Sequence, residues 1–137
     1  MVGLRSAIYG DGPDALDLGQ ADALDVLAGC SPARMSALAD ALRFDASTAT
    51  RAVDRLVDRG LALRQRAEDD ARVQRVALTP AGRRAHSELL QRRRAAMEAI
   101  LADFSDADRS SLADLLERLV QGVDQVASHE EVPRRGR

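Results

Sequence analysis

The shortage of aromatic side chains restricts the fold of this chain more than any other feature of its sequence. Only Tyr9, Phe44 and Phe104 are aromatic, although 45% of the 137 residues are hydrophobic. A core without large rings has to be filled by Leu, Val, Ala and Met, side chains that suit packing between helices. A chain of this length fits one domain with a core of its own. We therefore expect a single, mainly helical domain over residues 1–137.

The charges are distributed unevenly along the sequence. Residues 43–94 contain 13 arginines and 7 acidic residues, whereas the rest of the chain contains 7 arginines and 15 acidic residues. The net charge of −2 therefore hides a basic middle segment between acidic flanks. All 20 basic residues are arginine, a bias that genome composition would explain but that also suits phosphates and guanine edges.

No part of the sequence indicates a membrane or an export route. No apolar stretch approaches the roughly 20 residues that cross a bilayer, and no signal-peptide pattern follows Met1. The single cysteine, Cys30, cannot form an internal disulfide and fits a reducing compartment. We expect a cytoplasmic protein without membrane contact.

Hydrophobic spacing predicts a series of short helices in the first part of the chain. At most two helical turns precede the Gly10–Pro13 break, and a helix over residues 20–28 is closed by Gly29. A second short amphipathic helix follows Pro32, with Ser36 placed to cap it. Residues 43–45 then form a tight connection.

A third helix follows this connection and completes a helix-turn-helix arrangement. It starts at Ala46 with Asp45 as its N-cap, and Gly60 occupies the C-terminal cap position. From Leu61 to Leu78 the apolar residues alternate, interrupted by an acidic turn at residues 68–70. This part of the sequence predicts a β-hairpin that packs against the helices.

Two long helices are predicted in the last part of the chain. Thr79 and Pro80 open the first as N-cap and first helical residue, and Ser105 with Asp108 forms a capping box for the second. The last helix carries a wide apolar stripe that needs a partner surface to cover it. Its members are Leu112, Leu115, Leu116, Leu119, Val120, Val123 and Val126. We expect residues 129–137 to be a disordered tail.

The order of these motifs resembles the multiple antibiotic resistance regulator (MarR) family of winged helix-turn-helix transcription regulators. The resemblance covers about residues 18–126 and rests on the order and spacing of several short motifs. They are Leu38-Ala39, Ser47-Thr48-Ala49-Thr50-Arg51, Val53-Asp54-Arg55-Leu56, Arg59-Gly60-Leu61, Asp70-x-Arg72 and Leu78-Thr79-Pro80-Ala81-Gly82.

The resemblance implies a fold, an assembly and a function. The fold is mainly α with a small β-hairpin wing (α+β), a winged helix-turn-helix lobe at residues 20–79, and dimerisation helices at residues 1–17 and 80–128. The dimerisation residues are Leu112, Leu115, Leu116, Leu119 and Val123. The expected function is that of a dimeric repressor that binds a pseudo-palindromic operator in double-stranded DNA and is released by a small aromatic effector.

The resemblance also places the DNA contacts at the start of the third helix and in the wing. The DNA-binding candidates are Ser47, Thr48, Thr50, Arg51, Arg55, Asp70, Arg72 and Arg75, with Arg66 as a weaker one. Arg51 would read base edges, and Arg72, oriented by Asp70, would enter the minor groove.

Alternative interpretations remain for several of these residues. Ser47 and Thr48 could only satisfy the helix terminus, Arg51 could belong to a solvated face, and Asp70–Arg72 could be a simple hairpin ion pair. The run at residues 92–94 is more typical of a solvated helix face than of a DNA contact.

Other functional classes find less support in the sequence. We interpret Cys30 as a buried or incidental thiol rather than a redox switch. No metal-ligand spacing, catalytic set or phosphate-binding glycine loop occurs, so we expect no cofactor, no metal and no enzyme activity. The alternative function is a winged-helix dimerisation or adaptor module that binds protein instead of DNA.

Overall fold

The computed structural model describes residues 2–66 and 73–130, and the side chains of residues 3–66 and 73–126. Within these residues the chain is mainly helical with a small antiparallel sheet, as the sequence predicts. The helices are α1 (Val2–Tyr9), α2 (Leu18–Cys30), α3 (Met35–Leu42), α4 (Ala46–Asp58), α5 (Pro80–Ile100) and α6 (Asp106–Glu130). The strands are β1 (Ala33–Arg34), β2 (Ala62–Arg66) and β3 (Gln74–Leu78), and a short 3-10 turn covers Gly12–Asp14.

Local capping explains where most of these helices begin and end. The Asp17 side chain accepts the Gln20 backbone N–H at 2.8 Å, and the Asp17 N–H donates to the Gln20 side chain at 3.0 Å, which starts α2 two residues earlier than predicted. Asp45 caps α4 as expected. Gly60 follows the C-cap of α4 with φ +68°, a conformation that favours glycine.

The predicted capping role of Ser36 is wrong. Helix α3 begins at Met35, with Arg34 as its N-cap residue and no side-chain cap bond. The reason lies in the preceding residues, because Ala33 and Arg34 form strand β1 and pair with Val76 and Arg75 of β3. Long-range strand pairing therefore fixes the start of α3 before a local serine cap can do so.

The three strands form one antiparallel sheet in the order β1-β3-β2. Strands β2 and β3 are the predicted hairpin, with Ala62 opposite Leu78 and Arg66 opposite Gln74. The turn between them includes residues 67–72, which lie outside the described part of the chain. One face of the sheet contributes Ala62, Val76 and Leu78 to the core.

A single apolar core joins helices α2, α3 and α4 to this sheet face. Its largest side chains are fully buried and aliphatic, which agrees with the scarcity of aromatic residues. They are Leu24, Leu27, Leu38, Val53, Leu56 and Val76. All of them belong to the first of two compact units, Met1–Met97, whereas the second unit contains Glu98–Arg137.

The start of α5 is tied to the end of α4 by Thr79 and Gly82. The Thr79 hydroxyl accepts the Gly82 N–H at 3.0 Å, which confirms its predicted N-cap role, and donates to the Gly60 carbonyl at 2.7 Å. Gly82 packs directly against the backbone, because a Cβ at this position would lie 1.9 Å from the Leu61 carbonyl oxygen. The close approach of the two backbone segments therefore requires glycine at this position.

The second unit consists mainly of α6, which begins with the predicted capping box. The Ser105 hydroxyl accepts the Asp108 N–H at 3.2 Å and donates to the Asp108 carboxylate at 2.6 Å, and this hydroxyl lowers the pKa of Asp108. Most of the apolar stripe of α6 is exposed, and Leu112 is half-buried. No helix in the described ranges is both long enough and apolar enough to span a bilayer.

Candidate nucleic-acid interface

The start of α4 is organised around the Asp45 carboxylate. It accepts the backbone N–H groups of Ser47 and Thr48, each at 3.0 Å, and both hydroxyls donate to the same carboxylate. The bond from the Ser47 hydroxyl, followed by the bond from the Thr48 hydroxyl, holds the pKa of Asp45 well below its usual range. The cap therefore stays ionised even in acidic solution. Ser47 and Thr48 thus serve the helix terminus in the chain alone, and a role in DNA contact stays a prediction.

Arg51 lies one turn further along α4 and is exposed. Its guanidinium makes a 3.5 Å contact with the Thr48 hydroxyl, and no carboxylate pairs with it within the described residues. Thr50, between them in sequence, is half-buried. The first turns of α4 therefore present one exposed cation whose charge no carboxylate neutralises.

The later arginines of α4 contact the chain itself instead. Arg55, a predicted DNA-binding residue, forms an ion pair with Asp17, the N-cap of α2. Arg59 donates to the backbone carbonyl oxygens of Asp14 at 2.7 Å and Ala15 at 3.1 Å. Sequence reasoning missed both contacts, because the partners lie about 40 positions away and no local motif indicates them.

The hairpin carries a second group of arginines. Arg64 of β2 bonds to Asp54 of α4 at 2.5 Å and to Gln74 of β3 at 3.3 Å. Arg75 is half-buried and lies opposite Gln65 in one neighbouring strand and Arg34 in the other. Arg66 is exposed at the end of β2.

The two remaining candidates in the wing, Asp70 and Arg72, lie outside the described residues. Their predicted contact with the minor groove is therefore not tested by the structure. The strands that lead into and out of this turn are formed as expected, since Arg66 pairs with Gln74.

A polar cluster joins α2 to α5 on another part of the first unit. The Asp25 carboxylate accepts a bond from Arg93 at 2.6 Å and lies 3.1 Å from the His86 ring. The hydrogen bond that Arg93 donates to Asp25 raises the pKa of Arg93, and burial raises the pKa of the neighbouring Asp22. Arg93 therefore has a structural role, which differs from the solvated face predicted for residues 92–94.

Cys30 is exposed at the end of α2, where its thiol donates to the Val26 carbonyl oxygen at 3.0 Å. Of the two alternatives for this thiol, buried or incidental, the first is wrong, because α2 extends through Cys30 and turns the side chain to the surface.

A cavity of about 290 Å³ opens between α2 and the exposed side of α4. Phe44 and Leu18 give it an apolar wall, and its charged lining consists of Arg51 and Arg55 together with the carboxylates of Asp17 and Asp22. An aromatic anion would meet the Phe44 ring and the Arg51 guanidinium there, because Arg55 is already paired with Asp17. The cavity shares Arg51 with the candidate nucleic-acid interface.

Comparisons with known proteins agree with this geometry. Residues 16–73 match the sequence profile of the MarR family. A probable transcriptional regulator from Pseudomonas aeruginosa is 33% identical, with a TM-score of 0.67 over 85% of this chain and 86% of that one. No curated protein is similar enough to count as a match.

Two further solved structures share the fold. A MarR transcriptional regulator from Methanosarcina mazei is 28% identical, with a TM-score of 0.70 over 91% of this chain and 88% of that one. FabT from Streptococcus pneumoniae, solved in complex with DNA, is 22% identical, with a TM-score of 0.76 over 91% of this chain and 87% of that one. The family profile, the 33% identical relative and the helix-turn-helix followed by a hairpin lead to the same conclusion. The chain belongs to the MarR family of transcriptional regulators.

Proposed function

We propose that this chain is a dimeric repressor that binds a pseudo-palindromic DNA operator and that a small aromatic compound releases it. The observation that carries the proposal is the contrast between Arg51 and three other arginines of the lobe. Arg55, Arg59 and Arg64 each bond to a carboxylate or a backbone carbonyl of the chain. Arg51, at the helix start that would enter the major groove, has no such acceptor within the described residues.

The mode of binding follows from where the candidate residues lie. Arg51 would form a bidentate contact with a guanine edge, and Ser47, Thr48 and Thr50 would approach the phosphates beside it. In the hairpin, Arg72, oriented by Asp70, would enter the minor groove, with Arg75 behind it. The complex of FabT with DNA supports DNA binding by this fold, because the two folds superpose over most of both chains.

Dimerisation is supported by the second unit. Leu115, Leu116, Leu119 and Val123 of α6 are exposed, and the half-buried Leu112 precedes them by one helical turn. Burying such a stripe against a second copy removes apolar area from water. Twofold symmetry would then place two α4 helices about 34 Å apart, one turn of the DNA helix.

The binding experiment is the selection of bound duplexes from a random pool by the intact chain. We expect a palindrome whose half-sites are about one helical turn apart. Arg51→Ala should relax the base preference at one position of each half-site, and Arg72→Ala should weaken binding to all duplexes alike. Arg84→Ala, an exposed position on α5, is the matched control and should change neither property. A pool that yields no enriched sequence contradicts the proposal.

The effector is tested by competition. Because Arg51 lines the cavity between α2 and α4, an aromatic carboxylate bound there would pair with Arg51 and prevent this side chain from contacting DNA. We expect benzoate-type compounds to lower the affinity for the selected duplex and Phe44→Ala to abolish this effect while the duplex still binds. Displacement that survives Phe44→Ala would place the effector elsewhere.

A further inference from the structure

Arg64 connects three segments of the winged lobe. It lies on the sheet face that buries Ala62 two residues earlier, and it stands opposite Val76. Along this face of β2, the buried Ala62 is therefore followed by a side chain that contacts helix α4 through polar atoms. One guanidinium nitrogen bonds to Asp54 of α4 at 2.5 Å, and the other bonds to Gln74 of β3 at 3.3 Å.

The two partners of Arg64 lie next to the two candidate DNA-binding elements. Asp54 is three residues after Arg51, so the two side chains are neighbours along α4. Gln74 is the first residue of β3 and follows the predicted wing residue Arg72 by two positions in the sequence. Arg64 therefore joins the part of α4 that holds Arg51 to the strand that leaves the wing.

This contact contributes little to overall stability. The Arg64 side chain is 30% exposed and the Asp54 side chain 52%, and exposed ion pairs are weak because solvent screens them. Its geometry is nevertheless specific, because a planar guanidinium that donates from two nitrogens fixes both acceptors in direction as well as distance. A contact of this kind sets an orientation rather than holding a fold together.

We propose that Arg64 is a positioning residue that fixes the spacing between the helix start at Arg51 and the wing. The inference rests on the proposed DNA binding and deepens it. A duplex fits both elements only where the major groove read by α4 and the adjacent minor groove are separated by that spacing. Arg64 thereby determines how strongly the protein prefers narrow, A·T-rich sequence at the flank of each half-site, without contacting a base itself.

The test compares two ratios of affinity for each variant. The flank ratio compares duplexes with A·T and G·C base pairs under the wing, and the core ratio compares duplexes with the preferred and a wrong base under Arg51. We expect a flank ratio of about tenfold for the unaltered chain, a size typical of one unfavourable position. Arg64→Met keeps the aliphatic part of the side chain but removes the guanidinium group. It should reduce the flank ratio to about twofold and leave the core ratio and the melting temperature unchanged.

Three further variants make the result specific. Asp54→Asn should lower the flank ratio as Arg64→Met does. Arg64→Lys, which keeps the charge but cannot donate from two planar nitrogens, should give an intermediate ratio. Arg66→Met is the matched control on the same strand face, and it should weaken all duplexes alike and leave both ratios unchanged.

The possible failures are distinguishable. A flank ratio that Arg64→Met and Arg64→Lys leave unchanged would overturn the positioning role while DNA binding stands. Equal losses in both ratios together with a lower melting temperature would also overturn it, since Arg64 would then only support the fold. An unaltered chain that binds no duplex would overturn the proposed function and this inference with it.

Discussion

The two compact units of the chain contain the same types of aliphatic side chain but differ in how far these side chains are buried. In the unit Met1–Met97, the leucines of α2, α3 and α4 are fully buried against one another and against the sheet. In the unit Glu98–Arg137, the aliphatic side chains of α6 from Leu115 to Val126 are between 51% and 66% exposed. The first unit completes its core within one chain, whereas the stripe on α6 lacks a covering surface among the described residues.

This difference separates two sources of stability. The winged lobe should unfold at a temperature that does not depend on protein concentration, because its core contacts are intramolecular. The helix α6 should gain its stability from a second copy, so its contribution should rise with concentration. Of the four substitutions that follow, Leu56→Ala and Leu119→Ala test this separation directly, and the other two test the packing of the first unit.

The largest expected effect comes from the core of the lobe. Leu56 is fully buried among other core side chains, so Leu56→Ala should lower the free energy of unfolding by about 2–5 kcal/mol. Denaturant unfolding at two protein concentrations measures this loss. The loss should be the same at both, and a loss that shrinks at high concentration would contradict a core confined to one chain.

The second effect concerns the close contact between α5 and Leu61, the residue before β2. Gly82→Ala places a Cβ against the Leu61 carbonyl, and overpacking of this kind should lower the free energy of unfolding by about 1–3 kcal/mol. Gly29→Ala is the matched control, because nothing lies within 4 Å of its Cβ position in helix α2. The control should leave thermal unfolding unchanged or raise the melting temperature slightly. Equal behaviour of the two variants would contradict the described packing.

The third effect belongs to the stripe on α6. Leu119 is 63% exposed, so Leu119→Ala should hardly change the lobe but should raise the dimer dissociation constant about tenfold or more. Sedimentation velocity over a concentration series measures this constant. Glu117→Ala on the same helix is the control and should leave the constant nearly unchanged. A dimer that Leu119→Ala does not weaken would place the interface elsewhere.

The smallest effect concerns the N-cap of α5. Thr79→Ala removes a hydroxyl that bonds to both Gly82 and Gly60, and it should cost about 1 kcal/mol of unfolding free energy. Thr79→Ser retains the hydroxyl and should cost much less. If the serine variant were as unstable as the alanine variant, the methyl group rather than the cap would account for the loss.

The sequence allowed prediction of features that depend on neighbouring residues. The N-cap roles of Asp45, Thr79 and Ser105 are confirmed, since each bonds to a backbone N–H two or three residues ahead. The position of Gly60 after α4 is confirmed as well, because its φ of +68° is a local conformation that favours glycine. Such bonds need no knowledge of the fold.

Features that join distant segments could not be predicted in this way. Strand β1 has only two residues and exists because it pairs with β3, which displaced the expected Ser36 cap. The ion pairs of Arg55 with Asp17 and of Arg64 with Asp54 join side chains 38 and 10 positions apart. In the sequence these arginines look equivalent to Arg51, and only the fold separates Arg51, which has no acidic partner among the described residues, from those that hold the lobe together.

The most direct test of the central claim is the salt dependence of binding to the selected duplex, measured by fluorescence anisotropy. If arginines of two winged lobes contact phosphates, the logarithm of the association constant should fall linearly with the logarithm of salt concentration. With six to ten phosphate contacts the affinity should drop roughly 10³- to 10⁵-fold between about 50 and 200 mM salt. An affinity that stays flat over this range would contradict the account and would favour a module that binds protein.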